Sequence, residues 1–284
     1  SSDLLLSWPL ETKAKKLKLE LINWYKNNKR SFPWRKTTDP WQILLIETLA
    51  QQTQLERANE YFKKFSEKFP SPKSMANSSL KIILQMWSGL GYNNRAVRLY
   101  EASKIIEKKG FNEIYPNFDD LPGVGAYTKN AILSFAYGEK VLAIDTNIER
   151  IIQRYFGLND TKDFFKENSK YFLHKVNSRD INQAFMDFGS SICKSSNPMC
   201  SICPVENDCS KFFSDSKSFI KKFKGSNREV RGKIIKLLIR VGHINNQKLF
   251  EEIDEDSEKV NKALEGLKKD NLIKFKKNNI IEIT

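Results

Sequence analysis

The chemistry available to this chain is concentrated in a few side chains. Leu121-Pro122-Gly123-Val124-Gly125 opens an apolar helix expected from about Tyr127 to Ala136. Two glycines flanking one aliphatic residue suit a tight turn, because glycine takes positive φ without steric cost. Backbone N–H groups of Gly123, Val124 and Gly125 would then stand at a helix N-terminus, a seat for a phosphate oxygen. Asp145 follows, ending the apolar run Val141-Leu142-Ala143-Ile144. A phosphate clamp with an acid close behind it points to an enzyme acting on nucleic acid. Taken singly, the turn could be only a helix–helix connection and Asp145 only a cap.

A second carboxyl lies in Trp41-Gln42-Ile43-Leu44-Leu45-Ile46-Glu47-Thr48-Leu49-Ala50. This helix is apolar nearly all round and is therefore expected to be buried. A lone carboxyl among aliphatics is costly as an anion, so the pKa of Glu47 should rise, which suits an acid facing a cleft. The plainer reading pairs Glu47 with an arginine on a polar seam. The helix is expected to run on into Gln51-Gln52-Thr53-Gln54, whose side chains could read base edges or form a solvated helix end. Gly89-Leu90-Gly91-Tyr92 puts a leucine and a tyrosine on a glycine-flexed loop, the geometry of a wedge entering a duplex; alternatively Tyr92 only packs on the core.

All four cysteines fall in one short window as Cys193-x6-Cys200-x2-Cys203-x5-Cys209. A disulfide framework would spread them, so a metal site in a reducing compartment is the natural reading. Zinc sites favour two close pairs, whereas four thiolates in a compact loop also hold a [4Fe–4S] cube, and the spacing leaves both open.

The totals fit a polyanionic partner. The net charge is +14, from 48 Lys and Arg against 34 Asp and Glu. No stretch approaches the roughly 20 apolar residues of a membrane span, so nucleic acid is preferred over membrane. Ser1–Leu10 lacks the basic start of a signal peptide, and a cytoplasmic, nucleoid-associated monomer is expected. At 284 residues and 40% hydrophobic content, two or three domains with cores are affordable.

The elements that must position these groups are mostly helices. Apolar spacing predicts helices over 12–29, 41–55, most of 56–100, and 95–108. The stretch 56–100 is broken at Phe69–Pro72 and Gly89–Tyr92. Thr146 with Glu149 three residues on has capping-box spacing, so Asp145 is expected just outside the cap of a helix that continues, with a polar interruption near 158–162, to about Ser190. Lys211, Lys217, Lys221, Lys222 and Lys224 form a basic linker. Helices over 229–241, around Leu249 and over 256–269, then a hairpin with an Asn278-Asn279 turn, make a winged-helix pattern.

Residues 33–54, 86–99, 121–128 and 144–157, with the cysteine loop, resemble the helix-hairpin-helix DNA glycosylases, and most of all the adenine glycosylases of the MutY type. The resemblance implies an all-α, two-lobed fold with an iron–sulfur loop, to which the C-terminal residue pattern adds a small α+β winged helix. It implies an iron–sulfur domain from 1–32 and 141–212 and a six-helix domain over 33–140, while the residue pattern beyond it gives a linker over 213–226 and a winged helix over 227–284. It implies a [4Fe–4S] cluster on Cys193, Cys200, Cys203 and Cys209. Glu47 then matches the acid that protonates the purine, Asp145 the carboxylate that stabilises the sugar cation, and Tyr127 and Asn147 supporting polar groups. Gln52, Thr53, Leu90 and Tyr92 match positions that contact or wedge beside the base opposite the target, and Gln51 is a further DNA-binding candidate. Members with lyase activity carry lysine where Tyr127 stands, which implies a monofunctional enzyme; Lys129 lies about 200° round the helix. Such chemistry needs two carboxylates in opposite protonation states, Glu47 protonated and Asp145 ionised near a helix N-terminus, and a base flipped from the stack. The expected substrate is double-stranded DNA with adenine opposite 8-oxoguanine or guanine, the alternative being thymine or uracil opposite guanine. A binding-only lesion sensor is the third reading. Thr146 in place of a usual glycine, and a winged helix where the family carries another C-terminal domain, are the departures from the pattern.

Overall fold

A computed structural model describes residues 10–213 and 224–284. Lys217, Lys221 and Lys222 of the expected linker lie outside the described residues. The chain runs through α1 (Leu10–Asn28), α2 (Pro40–Ala50), α3 (Leu55–Lys68), α4 (Pro72–Ala76), α5 (Leu80–Trp87), α6 (Asn94–Lys109) and α7 (Phe111–Ile114). Then come α8 (Ala126–Tyr137), α9 (Thr146–Phe156), α10 (Lys162–Leu173) and α11 (Ser178–Ser191), followed by the cysteine loop. The C-terminal module contains α12 (Asn227–Val241), β1 (His243–Asn245), α13 (Asn246–Glu252), α14 (Ser257–Lys269), β2 (Ile273–Lys276) and β3 (Ile280–Ile283). Two compact units form: Ser1–Ile43 with Gly125–Lys217, and Leu44–Val124 with Ser218–Thr284.

Several boundaries depart from the periodicity. The second helix stops at Ala50 rather than Leu55, so Gln51–Gln54 form a turn in which Gln52 has φ +55°. Ser79 caps α5, accepting from the backbone of Ile82, and this divides the stretch after α4. Asn177 caps α11 in the same manner and breaks the long helix expected up to Ser190. A short polar side chain satisfying a free helix N–H is a local signal that hydrophobic spacing overlooks.

The first unit is built on an aromatic and aliphatic core. Leu17 and Leu21 of α1 meet Ile148, Ile151, Ile152 and Tyr155 of α9, with Phe172 from α10 and Phe185 from α11. Residues 141–144 cross this unit without regular structure, and side chains take up their backbone groups. Asn182 donates to the Val141 carbonyl (2.9 Å) and accepts from the Ala143 N–H (2.8 Å), while Asn130 donates to the Leu142 carbonyl (2.9 Å). That accounting fixes the path by which the chain reaches Asp145.

A buried ion cluster anchors the loop before α2. The Asp187 side chain is fully buried and accepts from Arg35 at 2.6 and 2.7 Å, from the Arg30 Nε at 2.7 Å and from the Arg30 backbone N–H at 3.1 Å. Arg179 donates to the carbonyls of Arg35 and Thr37, both at 2.6 Å, and to that of Phe135.

In the second unit Phe65 packs edge-on against Trp87, with centroids 5.7 Å apart. Within the C-terminal module Val230, Ile234 and Leu238 of α12 are buried, as are Leu249, Val260, Leu264 and Leu267. Its sheet has the order β1-β3-β2, antiparallel throughout. Asn278 and Asn279 both take positive φ, +63° and +54°, which is the expected hairpin turn. Strand β1 was not expected; three residues carry too little pattern to announce a non-local pairing.

Burial opposes the Asp187 charge, but Arg35 and Arg30 outweigh it and hold the carboxyl below its usual range. Its contribution to stability is complete above the unfolded pKa of about 3.9 and is lost as pH falls through the lower folded value. Asp187→Ala, which strands Arg35, should destabilise the protein by about 3–5 kcal/mol at pH 7. Chemical denaturation of both proteins at pH 7 and below pH 4 checks this, the gap between them narrowing in acid.

Candidate active site and cysteine loop

Asp145 is the N-cap of α9. Its Oδ1 accepts from the backbone N–H groups of Asn147 (3.0 Å) and Ile148 (2.8 Å), and its Oδ2 from the Asn147 amide (2.7 Å). This corrects the expected capping box. Thr146 is the first helical residue, and Asp145, in extended conformation at φ −105°, does the capping itself. The carboxylate is therefore inside the cap, fixed by three donors.

The support extends further. Asn147 Oδ1 accepts from Arg150 Nη2 at 2.8 Å, and Arg150 also donates to the carbonyls of Gly189 (2.8 Å) and Cys193 (2.9 Å). Gly189 makes the approach possible: a Cβ there would stand 2.6 Å from that of Asn147. Burial lowers the Arg150 pKa, against the opposing pull of the Cys193 sulfur. Tyr127 is half-buried in the first turn of α8.

In the turn before α8, Gly123 has φ +82° and a Cβ there would meet Arg98 Cβ at 3.0 Å. Gly125 does not need positive φ; it is extended at φ −101° and serves as an N-cap without a side chain. The Val124 N–H is bonded to the Leu121 carbonyl at 3.1 Å, while Gly123 and Gly125 are exposed.

All four cysteine sulfurs belong to residues lining one cavity, beside Tyr155 and Phe188. Arg154 of α9 closes the loop, donating to the carbonyls of Lys194 (2.6 Å) and Ser195 (3.0 Å) and lying 3.5 Å from Cys193 Sγ. Burial pushes the Cys203 thiol up to about 11 and Cys209 in the same direction, with neighbouring sulfurs adding to it. Thiolates gathered in that cavity need a cation, which is the donor set a metal cluster requires. Among the described residues no three His, Cys, Asp or Glu side chains are drawn into ligating geometry.

In the second unit Glu47 is 7% exposed, one turn before the end of α2. Gln51 and Thr53 are half-buried and Gln52 is exposed. Leu90 is buried and Tyr92 is exposed at φ +48°. Of the expected wedge pair, then, only Tyr92 stands out from the surface.

Arg95 was missed in the sequence, and it organises this region. It is buried and donates to the carbonyls of Thr48 (3.1 Å), Leu49 (3.2 Å), Gln51, Leu90 (3.3 Å) and Gly91 (3.2 Å). One guanidinium thus ties the end of the Glu47 helix to the GLGY loop. A cation in the first turn of a helix is unfavourable for the macrodipole, and that was the available signal. Arg150 was missed for a related reason: its partners are chiefly backbone carbonyls.

Residues 46–173 match the model of the HhH-GPD superfamily base excision DNA repair proteins. An adenine DNA glycosylase of Mycolicibacterium smegmatis is 30% identical over 234 residues, covering 78% of this chain and 79% of the relative. That of Buchnera aphidicola subsp. Baizongia pistaciae is 34% identical over 204 residues, covering 69% of this chain. The chain spans 58% of the length of that relative. Among solved structures, a thermostable thymine-DNA glycosylase superposes with a TM-score of 0.66 at 30% identity, over 71% of this chain and 97% of that one. A non-covalent endonuclease III–DNA complex superposes at 0.60 with 23% identity, over 72% and 97%, a likeness of fold.

Burial lowers the Arg95 pKa to about 10, and its partners are carbonyls that only a planar, many-donor fork can serve together. Arg95→Lys should therefore cost about 2–3 kcal/mol through lost charged hydrogen bonds. Urea denaturation monitored by circular dichroism measures it; a loss below about 0.5 kcal/mol, ordinary for a neutral surface change, would remove Arg95 from this role.

Proposed function

Because the chain belongs to the HhH-GPD superfamily of base excision DNA repair proteins, we propose that it is a monofunctional DNA N-glycosylase. Its substrate is an adenine flipped out of duplex DNA from opposite 8-oxoguanine or guanine, and its product an abasic site. The observation that carries this reading is the Asp145 carboxylate, fixed at the start of α9 by two backbone N–H groups and the Asn147 amide. A preorganised negative group of this kind is suited to a developing sugar cation. Glu47, buried in α2, is the acid that protonates the leaving base, and Tyr127 and Asn147 support the reaction. The names of the adenine-specific relatives favour adenine as the target.

Of the expected Gly123-Val124-Gly125 seat, Gly123 and Gly125 hold the duplex at the phosphate backbone, since the Val124 N–H is bonded to Leu121, with Gln51, Gln52, Thr53, Leu90 and Tyr92 on the side of the opposite base. Cys193, Cys200, Cys203 and Cys209 hold a [4Fe–4S] cluster that orders their loop and presents Lys194 or Lys211 to the backbone. The C-terminal module is a winged helix in this reading, which three helices with a three-stranded antiparallel sheet support. The enzyme works as a monomer on nucleoid DNA.

Duplexes bearing A opposite 8-oxoguanine, A opposite G, T opposite G and U opposite G, incubated with the full chain and then treated with alkali, test this. Strand breaks at adenine are expected only after alkali, since Tyr127 supplies no amine. Glu47→Gln should slow release by about 10²–10⁴-fold with duplex binding kept. Release of thymine or uracil in place of adenine would reassign the substrate, and no release from any duplex would end the enzyme reading.

A further inference from the structure

The first unit holds a buried polar group that none of the roles above uses. Tyr155 of α9 is 1% exposed, and its hydroxyl is buried with no hydrogen-bond partner among the described residues. An unpaired hydroxyl shut away from water is costly, and native folds leave few such groups without a purpose. Its surroundings are well defined. Tyr155 lines the cavity of the four cysteines. Its carbonyl accepts from the N–H (3.2 Å) and the Oγ (3.0 Å) of Ser210, the residue directly after Cys209. The Lys13 ammonium of α1 lies over the Tyr155 ring, 5.0 Å from its centroid, and 3.3 Å from the same Ser210 Oγ. Tyr155 is therefore tied by its backbone to the cysteine loop and by its ring to α1. Burial raises the Tyr155 pKa, and Asp208, Cys209, Glu20 and Cys203 act in the same direction, so the phenol keeps its proton.

The acceptor that fits is a sulfur. Of the groups whose charge reaches the hydroxyl, Asp208 and Glu20 stand outside the lining of the cavity, and Asp208 is ion-paired with Lys16 at 2.7 Å. Cys203 and Cys209 belong to that lining. Sulfurs that carry negative charge for a metal cluster accept hydrogen bonds, and Cys209 already takes one from the Lys211 N–H at 3.4 Å. We propose that the Tyr155 hydroxyl donates a hydrogen bond to a sulfur of the [4Fe–4S] cluster held by Cys193, Cys200, Cys203 and Cys209, and thereby raises the reduction potential of that cluster. This rests on those four cysteines holding the cluster. The potential rises because a donor stabilises the more negative, reduced state more than the oxidised one. No atom or electron of base excision passes through the bond, so Tyr155 tunes the cluster and is not a catalytic residue. Its sequence neighbours Ile151, Ile152 and Phe156 make it read as plain core, and the unpaired hydroxyl is what singles it out.

The test is electrochemical, on the full chain purified with its cluster, after iron and sulfide analysis of the wild type. Protein-film voltammetry compares the wild type with Tyr155→Phe, which keeps the ring and its packing and removes only the hydroxyl. Reduction of the cluster should become less favourable by about tenfold, a fall of about 59 mV for a one-electron couple. Tyr171→Phe, a tyrosine packed on the same core but outside the cavity lining, should leave the potential unchanged. In resonance Raman spectra, exchange into deuterated water should shift the iron–sulfur bands of the wild type more than those of Tyr155→Phe. A merely structural role would not produce that difference. A loaded Tyr155→Phe protein that keeps the wild-type potential, or the wild-type isotope shift, overturns the proposal and leaves the cluster reading standing. A wild type that purifies without iron overturns both. If Tyr155→Phe loads poorly, the spectra and potential of its loaded fraction decide.

Discussion

A helix must satisfy its first N–H groups, and at α9 that requirement is met by the side chain assigned to the chemistry. Asp145 accepts from the N–H groups of Asn147 and Ile148, a contact of about 1 kcal/mol for a typical cap. The partial positive charge of the helix N-terminus favours a carboxylate there. The same helix then uses Arg150 and Arg154 to hold the cysteine loop by its carbonyls. Cap, carboxylate and loop are consecutive links of one hydrogen-bonded chain, and a shift in the loop backbone reaches Asp145 through only two side chains.

The approach to Asp145 is as constrained as its cap. Residues 141–144 have neither helix nor strand to occupy their backbone groups, and Asn130, Ser178 and Asn182 substitute for a ladder. Those partners sit on α8 and α11, whose places depend on the core around Phe185 and on the Arg179 bonds to the preceding loop. The direction of one carboxylate is thus set by packing throughout the first unit, which is why an exposed acid on a mobile loop would not do the same work.

What the sequence could tell divides along the range of the interactions. The burial of α2 around Glu47, the cysteine window and the Asn-Asn hairpin were legible because each is announced by residue types next to one another. The cap of α9 was misread because Asp145 and Thr146 are adjacent and both good caps; the choice is made by the backbone path from 141–144, which no local rule contains. Gly123 and Gly125 look alike in sequence, yet only Gly123 has the φ that requires glycine. Arg95 and Arg150 escaped because backbone carbonyls have no residue type to recognise.

The GLGY loop carries that lesson into function. Gly89 is required, since φ is +94° and a Cβ would come within 2.9 Å of the Tyr61 hydroxyl. Tyr92 is different, since a glycine would hold φ +48° without the strain of roughly 1–3 kcal/mol that a side chain adds there. The strain is sustained because Arg95 grips the carbonyls of Leu90 and Gly91 while Trp87 Nε1 donates to Gly91 at 3.0 Å. Leu90 is turned inward by the same grip, and Tyr92 is left at the surface with its ring against Arg228. A buried cation thus fixes the loop from beneath, through the carbonyls just before the exposed aromatic.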